Sequence, residues 1–186
     1  QGQVGIVWLN REAKYNALST ELWSAIPHAL DALCEDGEIG AIILAGRGKH
    51  FCAGIDLVED GLSAHKNAKA RSKAEANIQQ LANTQKFQAA ITAIADCAVP
   101  VVAVVQGFCL GAGVDLITAC DIRIASACSV FSVRETRLGL VADVGTLQRL
   151  PKILNAGHVA ELAYTGKDIK ADRAEKIGLV NDVYES

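Results

Sequence analysis

Short apolar runs alternate with longer amphipathic tracts along the chain. Residues 5–9, 41–45 and 101–105 are rich in Val and Ile and lack the polar alternation of a half-exposed strand. This pattern predicts three strands buried on both faces, as in a parallel sheet. Weaker apolar runs at residues 122–125 and 130–133 predict two further strands.

Tracts with helical spacing separate these strands. One opens at Ser19 or Thr20, keeps its apolar residues on one helical face and fades at residues 36–37. A longer tract runs from about residue 68 to residue 98 and ends before Pro100. The remaining predicted helices lie at residues 111–120, after Asp143, after Asn155 and up to residues 176–178. This alternation predicts an α/β fold with mainly parallel strands.

Composition limits the classes of protein to consider. A chain of 186 residues suits one domain, which we assign to residues 1–186. The formal charge of -3 argues against a dedicated nucleic-acid binder. No apolar run reaches the roughly 18 residues that a membrane span requires. Because the chain begins at Gln1 and contains no Met, we expect a segment of a longer protein, incomplete at both ends.

The cysteines and histidines show no metal-binding pattern. Most of the six cysteines lie inside apolar stretches, and none forms a Cys-x-x-Cys pair. We predict reduced thiols packed as small apolar groups, in preference to a disulfide framework or a zinc site. The four histidines also lack the spacing of metal ligands, so no metal is expected.

Residues 106–115, Gln-Gly-Phe-Cys-Leu-Gly-Ala-Gly-Val-Asp, join a predicted strand to a predicted helix through small residues. Such a junction directs free backbone N–H groups and the positive end of a helix dipole at one point. It is not a P-loop, because no Gly-Lys-Ser/Thr follows, and Leu116 stands where a dinucleotide fingerprint needs its third glycine. The loop suits negative charge on a carbonyl oxygen. Tight packing of a turn against a helix explains it equally well.

A second loop favours the chemical interpretation. Residues 50–57 read His-Phe-Cys-Ala-Gly-Ile-Asp-Leu, and residues 10–18 read Asn-Arg-Glu-Ala-Lys-Tyr-Asn-Ala-Leu. Together with residues 106–115, these segments resemble the enoyl-CoA hydratase/isomerase (crotonase) superfamily. The resemblance implies a ClpP-like spiral of β-β-α units. It also implies that the C-terminal helical part, which builds trimers in the family, is absent from these 186 residues.

The resemblance implies a substrate and the groups that bind it. Family members act on fatty acyl-CoA thioesters and hold the thioester carbonyl with two backbone N–H groups, which match those of Ile55 and Ala112 here. CoA is part of the substrate, so no separate cofactor is expected. The residues implied to contact the acyl-CoA are Ala53, Gly54, Ile55, Asp56, Leu57 and Ala112.

Three acidic residues that follow the small-residue turn of residues 106–113 are candidate catalytic groups: Asp115, Glu135 and Asp143. Taken alone, the aspartates could be helix caps or first-turn charges, and Glu135 could pair with Arg134 or Arg137. In crotonase-type hydratases, glutamates match Asp115 and Glu135, and a small residue matches Asp143.

An aspartate at position 143 is typical of the Δ3,5-Δ2,4-dienoyl-CoA isomerases of the superfamily. The close similarity to them is carried by residues 113–123, 131–135 and 139–152. It implies conversion of 3,5-dienoyl-CoA to 2,4-dienoyl-CoA in the β-oxidation of unsaturated fatty acids.

That isomerisation moves a proton from C2 to C6 while the oxyanion hole holds the dienolate oxygen. The resemblance puts Glu135 near C2 and Asp143 near C6, whereas the sequence alone leaves the direction open. We expect Asp115 beside Glu135, where the like charge favours the protonated form of one partner.

Two other classes of function stay open. An enoyl-CoA hydratase or a Δ3-Δ2-enoyl-CoA isomerase would use the same fold, although Asp143 would add a charge to its acyl pocket. A non-catalytic RNA-binding or assembly subunit fits less well with three retained carboxylates and an acidic balance. The family also implies homotrimers or hexamers. Its expected location is mitochondrial or peroxisomal in a eukaryote and cytoplasmic in a bacterium.

Overall fold

The computed structural model describes residues 3–35, 37–59 and 72–185. The strands in these ranges are β1 Gln3–Leu9, β2 Ile39–Gly46, β3 Val101–Val105, β4 Phe108–Leu110, β5 Ile122–Ser126, β6 Val130–Ser132, β7 Ile169–Lys170 and β8 Asp182–Tyr184. The α-helices are α1 Thr20–Glu35, α2 Lys73–Ala95, α3 Ala112–Ala119, α4 Thr146–Arg149, α5 Ala156–Thr165 and α6 Ala171–Ile177. The first residues of the tract predicted from residue 68 lie outside the described ranges.

A five-stranded parallel sheet forms the larger layer, in the order β1-β2-β3-β5-β8. Ala103 at its centre pairs with Leu44 of β2 and Arg123 of β5. The parallel α/β architecture predicted from the alternation of strands and helices is therefore confirmed. The prediction omitted β8, which closes one edge.

The prediction that the first strand is buried on both faces was wrong. In β1, Val7 and Leu9 are buried, whereas Ile6 is 46% exposed and Trp8 is 39% exposed. Helix α1 packs on the face of β1 that carries Gly5, Val7 and Leu9, where the Leu33 side chain lies against Gly5. The Arg47 guanidinium packs over the Trp8 ring on the other face, 4.0 Å from its centroid.

A three-stranded sheet, in the order β4-β6-β7, forms the smaller layer. Strand β4 runs parallel to β6, and β7 is antiparallel to it. The sequence did not predict β4 or β7, because each has only two or three residues and owes its extended conformation to its neighbours. The loop at Cys52 joins this layer through a parallel bridge to Cys109.

Three helices pack in series, with α2 in contact with both α1 and α3. Helices α1 and α2 pack against each other, with the rings of Trp23 and Phe87 stacked at 4.8 Å. Every residue of α3 is buried, so this short helix lies inside the molecule. Of the described helices, none combines the length and the apolar character needed to cross a membrane.

Candidate active site

The two small-residue loops meet directly. The Cys52 N–H donates to Phe108 O at 2.9 Å, and the Leu110 N–H donates to Cys52 O at 2.9 Å. Gly54 has a φ of +100°, and a Cβ there would lie 3.1 Å from Leu110 O. Glycine is required at this position, because both its conformation and the close approach of Leu110 disfavour a side chain.

Two backbone N–H groups are available where the loops meet. Those of Ile55 and Ala112 donate to no acceptor among the described residues. Each belongs to a peptide whose carbonyl is already bonded, because Gly54 O accepts from the Leu18 N–H at 2.8 Å and Gly111 O accepts from the Val114 N–H at 2.7 Å. A planar trans peptide points its N–H away from its C=O, so these bonds fix the direction of both free donors.

Both donors border a cavity of about 230 Å³. Its lining is mostly apolar, with one carboxylate and two arginines, and comprises Ala53, Gly54, Ile55, Leu57, Leu110, Gly111, Ala112, Arg134, Glu135, Arg137, Leu138 and Leu140. The cavity therefore combines an apolar slot, free N–H groups and one acid/base group.

Glu135 is the carboxylate of this cavity and begins the 3₁₀ turn Glu135–Leu138. Its Oε1 lies 3.3 Å from where a Cβ of Gly111 would stand, and its buried Oε2 has no partner among the described residues. Burial, and then the charge of Asp143, raise the pKa of Glu135. Arg134 and Arg137 pair with Asp168 at 2.8 and 3.6 Å, so the alternative of a structural pair with Glu135 is not seen.

Asp115 lies behind the cavity in the first turn of α3 and is fully buried. Its Oδ1 accepts from the Thr146 N–H at 2.5 Å, and its Oδ2 has no partner among the described residues. Burial, and then the charge of Glu135, raise the pKa of Asp115 to about 7. A carboxyl group with this pKa is about half protonated at pH 7.

Asp143 does not line the same cavity as Glu135. It is exposed and borders a neighbouring open cavity of about 400 Å³, together with Gln88, Thr92 and Arg149. Its backbone carbonyl accepts from Gln88 Nε2 at 2.6 Å. The charge of Asp143 nonetheless contributes to the raised pKa of Glu135. The structure thus brings Glu135 and both N–H donors to one cavity and leaves Asp143 beside it.

Of the residues implied to contact acyl-CoA, all but Asp56 line the Glu135 cavity. Ala53, Gly54 and the half-exposed Leu57 line the cavity. Asp56 is buried and turned away, with Oδ2 on Arg11 at 2.5 Å and Oδ1 on the Val58 N–H at 2.8 Å. The Asp56 carboxylate is therefore used within the protein.

Sequence analysis assigned no role to the residues that hold the loop of residues 50–57 in place. Asn16 is fully buried with a φ of +56°, and its Nδ2 donates to Arg47 O and His50 O at 2.9 and 2.7 Å. Leu18 bridges to Ile55. Asn16 belongs to the family-like segment of residues 10–18, but that pattern does not indicate what the Asn16 side chain contacts.

The thiols near the site are apolar in character. Burial raises the pKa of Cys52 to about 12 and that of Cys109 well above its ordinary value. Within the described ranges, no group of three or more His, Cys, Asp or Glu side chains gathers where it could hold a metal ion.

Comparisons with known proteins give one consistent family. The enoyl-CoA hydratase/isomerase family model matches residues 1–186. Peroxisomal Δ(3,5)-Δ(2,4)-dienoyl-CoA isomerase of Arabidopsis thaliana is 42% identical, over 96% of this chain and 64% of the relative. The mitochondrial human enzyme of the same name is 40% identical, over 96% of this chain and 54% of the relative. The chain thus spans less than two thirds of these curated relatives.

A solved structure gives the same result for the fold. The crystal structure of enoyl-CoA hydratase from Bacillus anthracis matches with a TM-score of 0.86 and 32% identity. The match covers 100% of this chain and 67% of that chain. The fold class predicted from the sequence is therefore confirmed.

Proposed function

Because the chain belongs to the enoyl-CoA hydratase/isomerase family, we propose that it acts on a fatty acyl-CoA as a Δ3,5-Δ2,4-dienoyl-CoA isomerase. One observation carries the proposal: Glu135 shares an apolar cavity with the free N–H groups of Ile55 and Ala112. This arrangement suits proton abstraction next to a thioester carbonyl whose oxygen becomes negative. The similarity to dienoyl-CoA isomerases selects the reaction within the family.

The proposed reaction moves one proton and no other atom. The Glu135 carboxylate takes the proton from C2, and the electron pair shifts onto the thioester oxygen held by Ile55 and Ala112. The resulting dienolate collapses as Asp143 relays a proton from water to C6. Glu135 then returns its proton to solvent, so no proton is gained or lost overall.

Asp115 has a supporting role in this proposal. It is buried beside the site, and its pKa of about 7 keeps a large neutral fraction near neutral pH. A neutral Asp115 adds no negative charge next to Glu135, so Glu135 can ionise and act as a base. The raised pKa of Glu135 strengthens that base.

A hydratase is the second candidate, and one observation favours it. Asp143 is exposed and lies outside the Glu135 cavity, whereas the isomerase needs it at the far end of the acyl chain. A hydratase would instead use Asp115 and Glu135 to activate one water molecule.

The reaction is tested by ultraviolet absorbance of the full-length protein mixed with a 3,5-dienoyl-CoA. We expect the conjugated 2,4-dienoyl-CoA chromophore to form, and Asp143→Asn to abolish its formation. Asp31→Asn, which removes an exposed carboxylate on α1, is the matched control and should keep full activity. Hydration of a 2-enoyl-CoA without any conversion of the diene would overturn the isomerase proposal in favour of the hydratase.

The proposal extends to assembly and location. The relatives are named as mitochondrial and peroxisomal enzymes, and in a eukaryote we propose one of these compartments for this protein. A bacterial source would imply the cytoplasm. We also propose a homotrimer or a hexamer, with no separate cofactor and no nucleic acid partner, which gel filtration with light scattering would test.

A further inference from the structure

A chain of peptide groups leads from Arg11 to one of the two free N–H donors. Arg11 Nη1 donates to Ala17 O at 3.2 Å. The same peptide unit carries the Leu18 N–H, which donates to Gly54 O at 2.8 Å. The Gly54–Ile55 peptide in turn carries the Ile55 N–H, which faces the cavity.

Each link in this chain is rigid. A trans peptide is planar, so a bond to its carbonyl oxygen sets the direction of its N–H on the opposite side. The Asp56 N–H also donates to Leu18 O at 2.9 Å, so Leu18 holds the peptides on both sides of Ile55. Leu18 itself is fully buried. The Ile55 N–H therefore cannot reorient unless Leu18 moves.

The guanidinium at the start of the chain is held by two carboxylates, those of Asp56 and of Glu59, whose Oε1 accepts from Nη2 at 2.7 Å. The Arg11 side chain is 22% exposed and that of Asp56 only 7% exposed, with Nη1 2.5 Å from Oδ2. This contact and the N–H groups of Val58 and Glu59 lower the pKa of Asp56 to about 2, so the pair stays charged at working pH. A charge-assisted bond in a partly buried setting is stronger and better directed than a neutral one.

We propose that Arg11, held by Asp56, is a positioning residue that aims and polarises the Ile55 N–H through the Ala17–Leu18 and Gly54–Ile55 peptides. Consecutive hydrogen bonds strengthen one another, so a cation at one end increases the donor strength of the N–H at the other. Negative charge on a thioester oxygen is then stabilised by a side chain that never touches the substrate. The inference rests on the proposed function only in taking Ile55 as an oxyanion donor.

The test measures the carbonyl of a bound thioester. Butanoyl-CoA labelled with ¹³C at the thioester carbonyl has no double bond to move or hydrate, so it stays intact on the full-length protein. Isotope-edited infrared difference spectra should show a lower carbonyl stretching frequency when it is bound than when it is free. We expect Arg11→Gln to lose part of this shift, since the Ala112 N–H is unaffected, and Arg11→Lys, which keeps the charge without the planar guanidinium, to lose less.

Kinetics provide the second measurement. Removing one oxyanion donor typically lowers kcat by roughly 10² to 10³. Because Arg11→Gln misaligns the donor without removing it, we expect kcat to fall by about 10-fold, with little change in KM. Arg173→Gln is the matched control, since it removes a partly exposed arginine 3.5 Å from Glu161 and leaves the peptide chain untouched. It should keep both the carbonyl shift and the rate.

The outcomes separate this inference from the proposed reaction. A carbonyl shift in Arg11→Gln equal to that of wild type would overturn the positioning role, even if the protein isomerises dienes. A wild type that polarises the carbonyl without converting the diene would overturn the reaction only. If Arg11→Gln does not fold, the double variant Asp56→Asn/Glu59→Gln takes its place, because it removes both carboxylates that hold Arg11 and keeps an oxygen for the Val58 N–H. An undiminished shift in this double variant would then overturn the role.

Discussion

At the scale of single residues, the site depends on a carboxyl group that the protein keeps from water. Asp115 satisfies one oxygen with the Thr146 N–H, and its other oxygen is buried without a partner among the described residues. Ionising it there is costly, because burial penalises the charged form and Glu135 adds a like charge. Both effects raise the pKa of Asp115. The free energy of unfolding must therefore depend on pH.

The stability of the protein should therefore depend on the proton of Asp115. The unfolded chain releases this proton near pH 3.8 and the folded chain near pH 7, so the free energy of unfolding falls as pH rises between these values. The full difference is on the order of 4 kcal/mol, shared with Glu135 through their coupling. Urea unfolding at pH 4, 5.5 and 7.5 should show this loss in wild type and a flatter profile in Asp115→Asn.

The asparagine variant keeps an oxygen for the Thr146 N–H, so it isolates the charge. Asp31→Asn on the exposed face of α1 serves as the control and should follow wild type. Parallel pH profiles for wild type and Asp115→Asn would contradict the raised pKa.

At the scale of elements, helix α3 is packed against the loop of residues 50–57 at backbone distance. A Cβ on Gly113 would lie 3.0 Å from Cys52 O and 3.1 Å from Cys52 Cβ. The loop cannot move away without disturbing Gly54, two residues further along the chain. The short helix and the loop therefore form one unit whose spacing sets the distance between the Ile55 and Ala112 donors.

Gly113→Ala should destabilise the protein and impair catalysis together. Forcing a methyl group into this contact costs about 1–3 kcal/mol, and it separates the free N–H groups of Ile55 and Ala112. Gly157→Ala is a close control, because it is also the second residue of its helix and its Cβ would meet only Asn155 Oδ1, at 3.7 Å. Thermal melting and kcat should both fall in the first variant, whereas the second should be neutral or slightly stabilised. Equal behaviour of the two would argue against the close contact.

At the scale of the whole molecule, a buried arginine joins the last described strand to the centre of the sheet. Arg123 donates from Nε to Leu179 O at 2.9 Å and from Nη1 to Cys120 O at 2.8 Å. Its backbone exchanges hydrogen bonds with Asn181, through Arg123 N to Oδ1 at 2.9 Å and Asn181 N to Arg123 O at 2.7 Å. These contacts fix the segment that leads into β8.

Arg123→Met should loosen this edge of the sheet. Each lost hydrogen bond to a charged group costs about 1.5–3 kcal/mol and leaves a buried carbonyl unpaired. Amide hydrogen exchange should speed up in β8 and in residues 179–181, with the free energy of unfolding reduced by a few kcal/mol. Exchange in β1, at the opposite edge, should change less. Uniform acceleration over the whole sheet would indicate global destabilisation instead.

The sequence by itself determined the parts of the protein that are local. The apolar runs placed β2 and β3, the helical spacing placed α1 and α3, and the motif residues identified the family. These signals are local, because strand and helix periodicity and turn chemistry depend on neighbours in the chain. The candidate residues Glu135, Ile55 and Ala112 came from the same motifs, and their catalytic roles stay predictions.

Only the tertiary structure decided how those parts meet. In the folded protein, Gly54 lies against Leu110, Asp143 lies outside the Glu135 cavity and the Asp56 carboxylate binds Arg11. The tertiary structure also formed β4, whose three residues are extended because β6 lies beside them. Each of these features depends on a contact between residues far apart in the chain, and no local pattern specifies which distant partner a carbonyl, a carboxylate or a short strand will find.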